Sequence, residues 1–329
     1  MNRERNFRQE FNAYIYQMQQ LATLGGVRDN PNHPLITTIS TLKQLLDAYV
    51  TPEGLLALQK LGATPQDVID RLFKLLKAQS HYGYDRMYWL ADGYFDELSR
   101  DDDARRFIQQ RLPHPEHYDS TIAELSYWGW LKARGLSPKL TEEPGQPDLM
   151  LGPDANGDAV HCDVKAILHD TEPSRIRKII AKANSQIKNV AGDETKGLCF
   201  IRVIKPVIRT PSITDTKRGF LDLISEENNR NAAGVPYKII DYYTEAQRVM
   251  SSTSCRSVAK VVLCWEEQMI RGNFPGWITV VGNLKSCVVE HVNARKPFEA
   301  IADLLPKATI AFNIQLKPRL PTLNFPRFY

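Results

Sequence analysis

The chain has 329 residues, of which 43% are hydrophobic and 24% charged, and its 42 lysines and arginines against 38 aspartates and glutamates give a formal charge of +4. This composition is ordinary for a folded protein and excludes the collagen-like, disordered and disulfide-rich mini-protein classes. The charge excess is too small for a protein that binds polyanions through its bulk charge, so a nucleic-acid partner would require locally arranged basic groups.

No membrane-spanning segment is expected, because no window approaches about 18 consecutive apolar residues. The N-terminal stretch MNRERNFRQEF is charged and is not followed by the apolar segment of a secretory signal. The cysteines are odd in number, widely spaced and without a CxxC pair, which favours reduced thiols in a cytoplasmic protein over disulfides or a zinc site. They are Cys162, Cys199, Cys255, Cys264 and Cys287.

The sequence predicts a helical N-terminal domain over residues 1–112. The segment from Phe7 to Leu24 is rich in Gln, Tyr, Met and Leu, and it runs into Gly25-Gly26, a typical helix stop. Threonine-proline pairs and acidic runs are typical of helix starts, because threonine or aspartate caps the first turn and proline fits within it. Such starts occur at Thr51-Pro52, Thr64-Pro65 and Asp101–Asp103.

The prolines of Leu112-Pro113-His114-Pro115 cannot continue a helix and mark the expected start of a second domain, residues 113–329. Mixed helix and strand patterns there favour an α/β (α+β) layer architecture. We expect an insertion around 205–250 and an extended C-terminal tail from Lys317. The expected helices are Thr121–Arg134 and Ser174–Asn189, and the expected strands are Pro147–Leu151, Ala159–Leu168, Leu198–Ile204, Val258–Trp265 and Trp277–Val281.

A predicted β-hairpin with polar residues on one face carries the main functional signal. Two apolar strands flank the turn-forming sequence GPDANGD. Because side chains alternate along a strand, Asp163 and Lys165 share a face about 7 Å apart, and Asp148 on the partner strand can lie near them. His161 shares this face, and both a contact with substrate and a structural role are open for it.

An acid-x-lysine triplet is a weak motif by itself, since this chain contains three of them. Asp163-Val-Lys165 lies in an apolar alternating strand and follows a Pro-Asp strand across one turn. Glu194-Thr-Lys196 and Asp215-Thr-Lys217 lie in polar loop sequence. The context therefore makes the first triplet a specific candidate for a site.

The residues Pro147-Asp148 and Asp163-x-Lys165, with Glu124 on the preceding helix, resemble the motif of the PD-(D/E)XK phosphodiesterase superfamily. The resemblance covers roughly residues 121–204, about a quarter of the chain. It implies the restriction-endonuclease-like fold, in which a mixed β-sheet is flanked by helices.

The resemblance also implies a Mg²⁺ site, for which Mn²⁺ would substitute, beside a catalytic lysine. Lys165 would help the attacking water, and Gln186 would be the polar residue that many members carry on the helix after the lysine strand. Such a site suits the chemistry, because a hard cation neutralises the phosphate and makes a water nucleophilic. The implied metal ligands are the carboxylates of Glu124, Asp148 and Asp163 and the backbone carbonyl of Val164.

Structural roles compete with these assignments. Thr121-x-x-Glu124 also fits a capping box, although Tyr127, Trp128 and Leu131 place Glu124 on an apolar stripe, where an acid usually needs a cation. Asp148 also fits a plain strand start, Asp163 and Lys165 fit an exposed strand pair, and Gln186 fits a solvated helix position.

The helix SRIRKIIAKANSQIKNV that follows the hairpin has a basic face beside the predicted site. Arg175, Lys178 and Lys182 lie at helical spacing on its polar side, opposite the isoleucine stripe. A phosphate backbone requires such cations, so these three residues are the predicted nucleic-acid contacts. A solvated charged face is the competing interpretation for each of them.

The sequence thus predicts a metal-dependent nuclease that hydrolyses DNA phosphodiester bonds through a Mg²⁺-activated water. DNA is favoured over RNA by the resemblance. Neither a GxGxxG nor a Walker A motif is present, so no nucleotide-powered motor is expected. No sequence-reading module is recognisable either, so targeting would come from the N-terminal helices, a homodimer or a partner protein. Defence against foreign DNA, restriction and repair are the expected settings. A second hypothesis is a non-catalytic DNA-binding or assembly subunit that uses the same fold.

Overall fold

The computed structural model describes residues 7–40, 43, 95–133, 135–141, 145–152, 159–167, 171–191, 196–208, 237–273, 277–294 and 309–315. Residues 34–40 are helical, and a 3-10 turn spans Pro115–His117. No helix within these ranges is long and apolar enough to cross a membrane. The remaining helices are α1 (Phe7–Leu24), α2 (Phe95–Arg100), α3 (Asp102–Arg111), α4 (Tyr118–Ala133), α5 (Ser174–Ala191) and α6 (Tyr237–Met250).

The described strands form one seven-stranded sheet in which each strand neighbours the next in the chain. β1, β2 and β3 are antiparallel, β3, β4 and β5 are parallel, and β5, β6 and β7 are again antiparallel. Parallel neighbours need a crossover, which α5 supplies between β3 and β4 and α6 between β4 and β5. The predicted α/β class is therefore confirmed. The strands are β1 (Pro138–Leu140), β2 (Leu149–Leu151), β3 (Val160–Ile167), β4 (Lys196–Ile208), β5 (Lys260–Asn273), β6 (Trp277–Glu290) and β7 (Thr309–Gln315).

The helix boundaries in the N-terminal part follow the capping residues in the sequence. α1 has the predicted bounds, and Gly26 after it adopts a left-handed φ of +70° that a glycine tolerates. α3 begins after Asp101, whose side chain accepts hydrogen bonds from the amides of Asp103 and Ala104. The predicted starts at Thr51-Pro52 and Thr64-Pro65 lie outside the described residues.

Helices cover both faces of the central strands. On one face, α5 and α6 pack on β3, β4 and β5, and the isoleucine stripe of α5 is buried as predicted. On the other face, α4 packs so that the ring of Tyr127 stacks on that of Phe200 at 4.0 Å between centroids. Trp128 on the same helix donates a hydrogen bond to the carbonyl of Pro138 in β1. β3 is therefore a central strand with buried residues on both faces.

Two strands of the sheet, β1 and β7, were not among the predicted elements, and β4, β5 and β6 extend beyond their predicted ends. Of the predicted insertion around 205–250, the structure describes the end of β4 and α6, whose Tyr242 and Ala246 lie in the core. The tail from Lys317 lies outside the described residues, and the division at residue 112 stays a prediction. None of the five cysteines forms a disulfide, and three of them are buried.

Candidate functional site

The β2–β3 hairpin brings the acid-x-lysine triplet and the Pro-Asp strand together. Leu149 pairs with Cys162 in the antiparallel register, so that Asp148, one position earlier, lies opposite Asp163. The Nζ atom of Lys165 is 2.7 Å from Asp163 Oδ1 and 3.3 Å from Asp148 Oδ2. The structure thus joins two carboxylates and one ammonium group at the end of the hairpin.

The carboxylates of Asp148 and Asp163 differ in what orients them and in how deeply they are buried. The amide of Val164 donates a 2.7 Å hydrogen bond to Asp148 Oδ2, which orients this carboxylate across the two strands. The side chain of Asp163 is fully buried, whereas those of Asp148 and Lys165 are 14% and 20% exposed. The site therefore opens to solvent on the side of Asp148 and Lys165, with Asp163 at its base.

The electrostatics of the hairpin follow from this crowding of charges. Burial and the neighbouring carboxylate of Asp148 raise the pKa of Asp163 to about 7, although Lys165 opposes the shift. Burial alone would lower the pKa of Lys165, but the charges of Asp148 and Asp163 raise it above its ordinary value. Lys165 is therefore protonated at neutral pH, whereas Asp163 gains and loses its proton near pH 7.

The donor set of the hairpin fits a hard divalent cation. Asp163 Oδ2 is buried and has no hydrogen-bond partner among the described residues, and a second carboxylate stands beside it. Mg²⁺ binds through one or two carboxylates and keeps several waters, so Asp148 and Asp163 would suffice, with the predicted Val164 carbonyl as a further ligand. Within the described ranges, no group of three or more His, Cys, Asp or Glu side chains is arranged to hold a metal ion.

Glu124 lies in the interior of α4 and is bound by an arginine that the sequence did not point to. Arg111 Nη1 and Nη2 donate hydrogen bonds of 2.9 Å to Glu124 Oε2 and Oε1. Burial, and next the charge of Asp148, raise the pKa of Glu124 well above its ordinary value, against the effect of Arg111. The capping-box interpretation is wrong, because α4 begins at Tyr118 and Thr121 lies inside the helix.

Glu124 is close enough to the hairpin for the charged groups there to act on its ionisation. Asp148, Lys165 and Asp163 all perturb its ionisation, so Glu124 belongs to the same cluster of charges. A buried acid on an apolar stripe does need a cation, as the sequence predicts, and in this structure Arg111 is that cation. The role of Glu124 as a metal ligand stays a prediction.

Gln186 on α5 contacts the chain next to the Pro-Asp motif. Its Nε2 donates a 2.8 Å hydrogen bond to the carbonyl of Gln146, and its Oε1 is buried with no partner among the described residues. This bond connects α5 to the segment that leads into Asp148. A fully solvated helix position for Gln186 is therefore wrong.

The predicted nucleic-acid contacts lie on the exposed side of α5. Arg175, Lys178 and Lys182 are all exposed and follow one another at helical spacing, and Gln186 continues the row by one further turn. The row thus ends at the residue that touches the segment before Asp148. His161, two residues before Asp163 on β3, is buried, and burial lowers its pKa and so favours the neutral imidazole.

No family model, curated protein or solved structure matches the chain. The likeness to the PD-(D/E)XK superfamily is thus a resemblance carried by Pro147-Asp148 and Asp163-x-Lys165. The geometry itself offers two converging carboxylates, a fixed ammonium group and an adjacent basic helix face. Such a set can bind a cation and a phosphate side by side.

Proposed function

We propose that this chain is a metal-dependent nuclease of the restriction-endonuclease-like type that hydrolyses DNA phosphodiester bonds. One observation carries the proposal: Asp148 and Asp163 converge from two strands of a hairpin, and Lys165 lies within 3.3 Å of both. Two converging carboxylates beside one ammonium group leave an excess of negative charge, and the charge of Asp148 contributes to the raised pKa of Asp163. A divalent cation bound by both carboxylates would supply the positive charge that Lys165 alone does not.

Asp148 and Asp163 would hold Mg²⁺ or Mn²⁺, and Asp163 Oδ2, which is buried and has no hydrogen-bond partner among the described residues, would be one ligand atom. A divalent cation bound there supplies charge neutralisation on the phosphate and a more acidic water. The hydrogen bond from the Val164 amide keeps Asp148 turned toward the site. Glu124, if it also ligates, has to share its oxygens with Arg111.

Lys165 would act as a donor rather than as a base. Its raised pKa keeps it protonated at neutral pH, so it has no lone pair with which to deprotonate a water. An ammonium group at this position can orient the attacking water or hold a phosphate oxygen. The proton of the water would therefore have to leave to solvent or to another group.

The substrate class follows from the basic face and the resemblance together. Arg175, Lys178 and Lys182 would contact DNA phosphates, while Gln186 holds the segment before Asp148 in place. The resemblance favours DNA over RNA. A homodimer or partner protein would supply targeting in defence, restriction or repair.

The proposal is tested by incubating supercoiled, linear and single-stranded DNA with the purified chain in Mg²⁺, Mn²⁺ or EDTA. Asp163→Asn should abolish cleavage, because it removes one carboxylate while keeping the shape of the side chain. Asp241→Asn, an equal change at an exposed position of α6, should cleave like the wild type. Cleavage that survives in Asp163→Asn or in EDTA would rule out this site.

A second candidate function is that of a non-catalytic DNA-binding or assembly subunit. It is favoured by one observation, namely that Arg111 already occupies both oxygens of Glu124. Salt-dependent DNA binding without cleavage in any metal would support this second candidate and reject the nuclease.

A further inference from the structure

Arg111, the last residue of α3, connects the helical N-terminal part of the chain to the candidate site. Two of its N–H groups bind Glu124, and Nη2 also lies 3.4 Å from the hydroxyl of Ser120. Its guanidinium carbon is 4.9 Å from the centroid of the Phe107 ring, which adds a cation–π contact. The guanidinium is therefore held in one place before any substrate binds.

The guanidinium group of Arg111, the planar fork of its side chain, has more N–H donors than its described partners use. An arginine has five N–H donors in a rigid plane. Glu124 takes two of them and Ser120 a third, which leaves two without a partner among the residues that the structure describes. The side chain of Arg111 is 29% exposed and that of Glu124 only 2%. The part of this ion pair that a ligand can reach is thus the guanidinium.

The balance of charge makes an anion the expected ligand once a cation is bound. When all five side chains of the cluster are ionised, they leave one net negative charge, because three carboxylates face two cations. A divalent cation would reverse that sign, and a phosphate group would then be attracted. The planar fork of arginine matches the oxygens of a phosphate better than a lysine does. The members of the cluster are Glu124, Asp148, Asp163, Arg111 and Lys165.

We propose that Arg111 binds a phosphate of the DNA strand at the site, through the N–H donors that Glu124 and Ser120 leave free. Glu124 then acts as the positioning residue that orients the fork, in place of a role as metal ligand. The inference rests on the proposed nuclease function. It gives the N-terminal part of the chain a direct contact with substrate, on α3, in addition to the basic face of α5.

The test measures DNA affinity as a function of salt, by fluorescence anisotropy of a labelled duplex in Ca²⁺, with a gel to verify that the duplex stays intact. Each phosphate contact that is lost lowers the slope of log K against log salt by about 1. Arg111→Ala would leave the buried Glu124 carboxylate without its cation and could unfold the protein. The decisive comparison therefore uses two variants that both lack the Glu124 charge. They are Glu124→Gln and the double variant Arg111→Gln/Glu124→Gln.

Relative to Glu124→Gln, we expect the double variant to lose about one unit of slope and about three- to tenfold in affinity. Arg106→Ala is the matched control on α3. Arg106 also pairs with an acid, Asp103, but it lies about 140° around the helix from Arg111 and should change neither quantity. Circular dichroism of each variant verifies that it is folded.

Equal slopes and affinities in Glu124→Gln and the folded double variant would overturn the inference and make Arg111 a structural clamp only. This outcome leaves the nuclease proposal standing, because wild-type binding and cleavage are measured independently. A wild type that binds no DNA in a salt-dependent manner would reject the nuclease proposal and this inference together.

Discussion

The ammonium group of Lys165 lies 2.7 Å from Asp163 Oδ1, and this ion pair is buried on the aspartate side and 20% exposed on the lysine side. The two residues are separated by one position on β3, so strand alternation alone puts them on the same face. Asp148 contributes a second carboxylate from β2 at 3.3 Å. Lys165 is therefore a shared cation that compensates part of the negative charge of the two acids.

Removing Lys165 should destabilise the protein in a pH-dependent manner. Lys165→Met leaves Asp163 Oδ1 buried without its partner, and breaking such a pair costs about 2–4 kcal/mol once the partial exposure of the lysine is considered. The loss should be large at pH 8.5, where Asp163 is ionised, and small at pH 5.5, where it is protonated. Chemical unfolding at both pH values measures this difference.

Lys139→Met provides the control for that substitution, because Lys139 is an exposed lysine on β1. Its unfolding midpoint should match the wild type at both pH values. Equal losses for Lys165→Met at pH 5.5 and 8.5 would mean that packing of the lysine side chain, and not its charge, stabilises the hairpin.

The raised pKa of Asp163 predicts how stability depends on pH in the wild type. Its ordinary pKa is 3.8 and its folded pKa about 7, so between these values the folded state binds the proton more tightly than the unfolded state. Stability from this group is therefore complete below about pH 4 and is lost as pH rises through 7. Asp163→Asn should flatten the dependence over this range in a thermal-unfolding series.

Glu124 contributes with the same sign, because its pKa is also raised, so a residual slope should remain in Asp163→Asn. A wild-type stability that increases steadily between pH 4 and 7, with no effect of Asp163→Asn, would contradict the described environment of Asp163.

A divalent cation should reverse this loss of stability. At pH 8, above its pKa of about 7, Asp163 is ionised and the charge of Asp148 opposes it, so Mn²⁺ or Mg²⁺ should bind the folded state and raise the melting temperature. A concentration 100 times the dissociation constant would add about 2.7 kcal/mol. Differential scanning calorimetry with and without Mn²⁺ measures the shift.

The metal effect should be specific to the hairpin carboxylates. Asp148→Asn and Asp163→Asn should each lose most of the shift, while Asp241→Asn on α6 keeps it. A Mn²⁺ shift of equal size in all three variants would place the metal elsewhere in the chain.

The hairpin could be predicted from the sequence because its signals are local. Alternation along β3 and the turn sequence between the strands set which residues share a face and which strand pairs with which. The ion pair between Arg111 and Glu124 could not be predicted, because it depends on the angle between α3 and α4 across Pro113. The need of a buried acid for a cation was the available signal, but it did not identify the partner.

The missed strands have two different causes. β1 has only three residues and begins with a proline, so its single apolar-polar-apolar alternation is too short to predict a strand. β7 does carry a signal, since Ile310, Phe312 and Ile314 alternate with smaller or polar residues. The first half of β4 and the first half of β5 were predicted because their apolar runs are continuous, as expected of buried parallel strands.

The start of β4 imposes a packing constraint that predicts a strong effect of one methyl group. Gly197 is buried, and its carbonyl accepts a 2.8 Å hydrogen bond from the amide of Ala259. A Cβ atom at this position would overlap the backbone carbonyl of Ser257 and approach the Cδ1 atom of Ile187 to 2.6 Å. The amide of Ser257 is in turn bonded to the side chain of Asn184, so the carbonyl cannot move without loss of that bond.

Gly197→Ala should therefore destabilise the protein by about 1–3 kcal/mol, the range for overpacking in a dense core. Gly152→Ala, at the end of β2, is the matched control, because a Cβ there meets nothing within 4 Å and should change stability by less than about 0.5 kcal/mol. Urea unfolding of the two variants gives the comparison. Equal midpoints would mean that β4 and the segment before β5 do not approach each other at Gly197. The parallel pairing of β4 with β5 would then need revision.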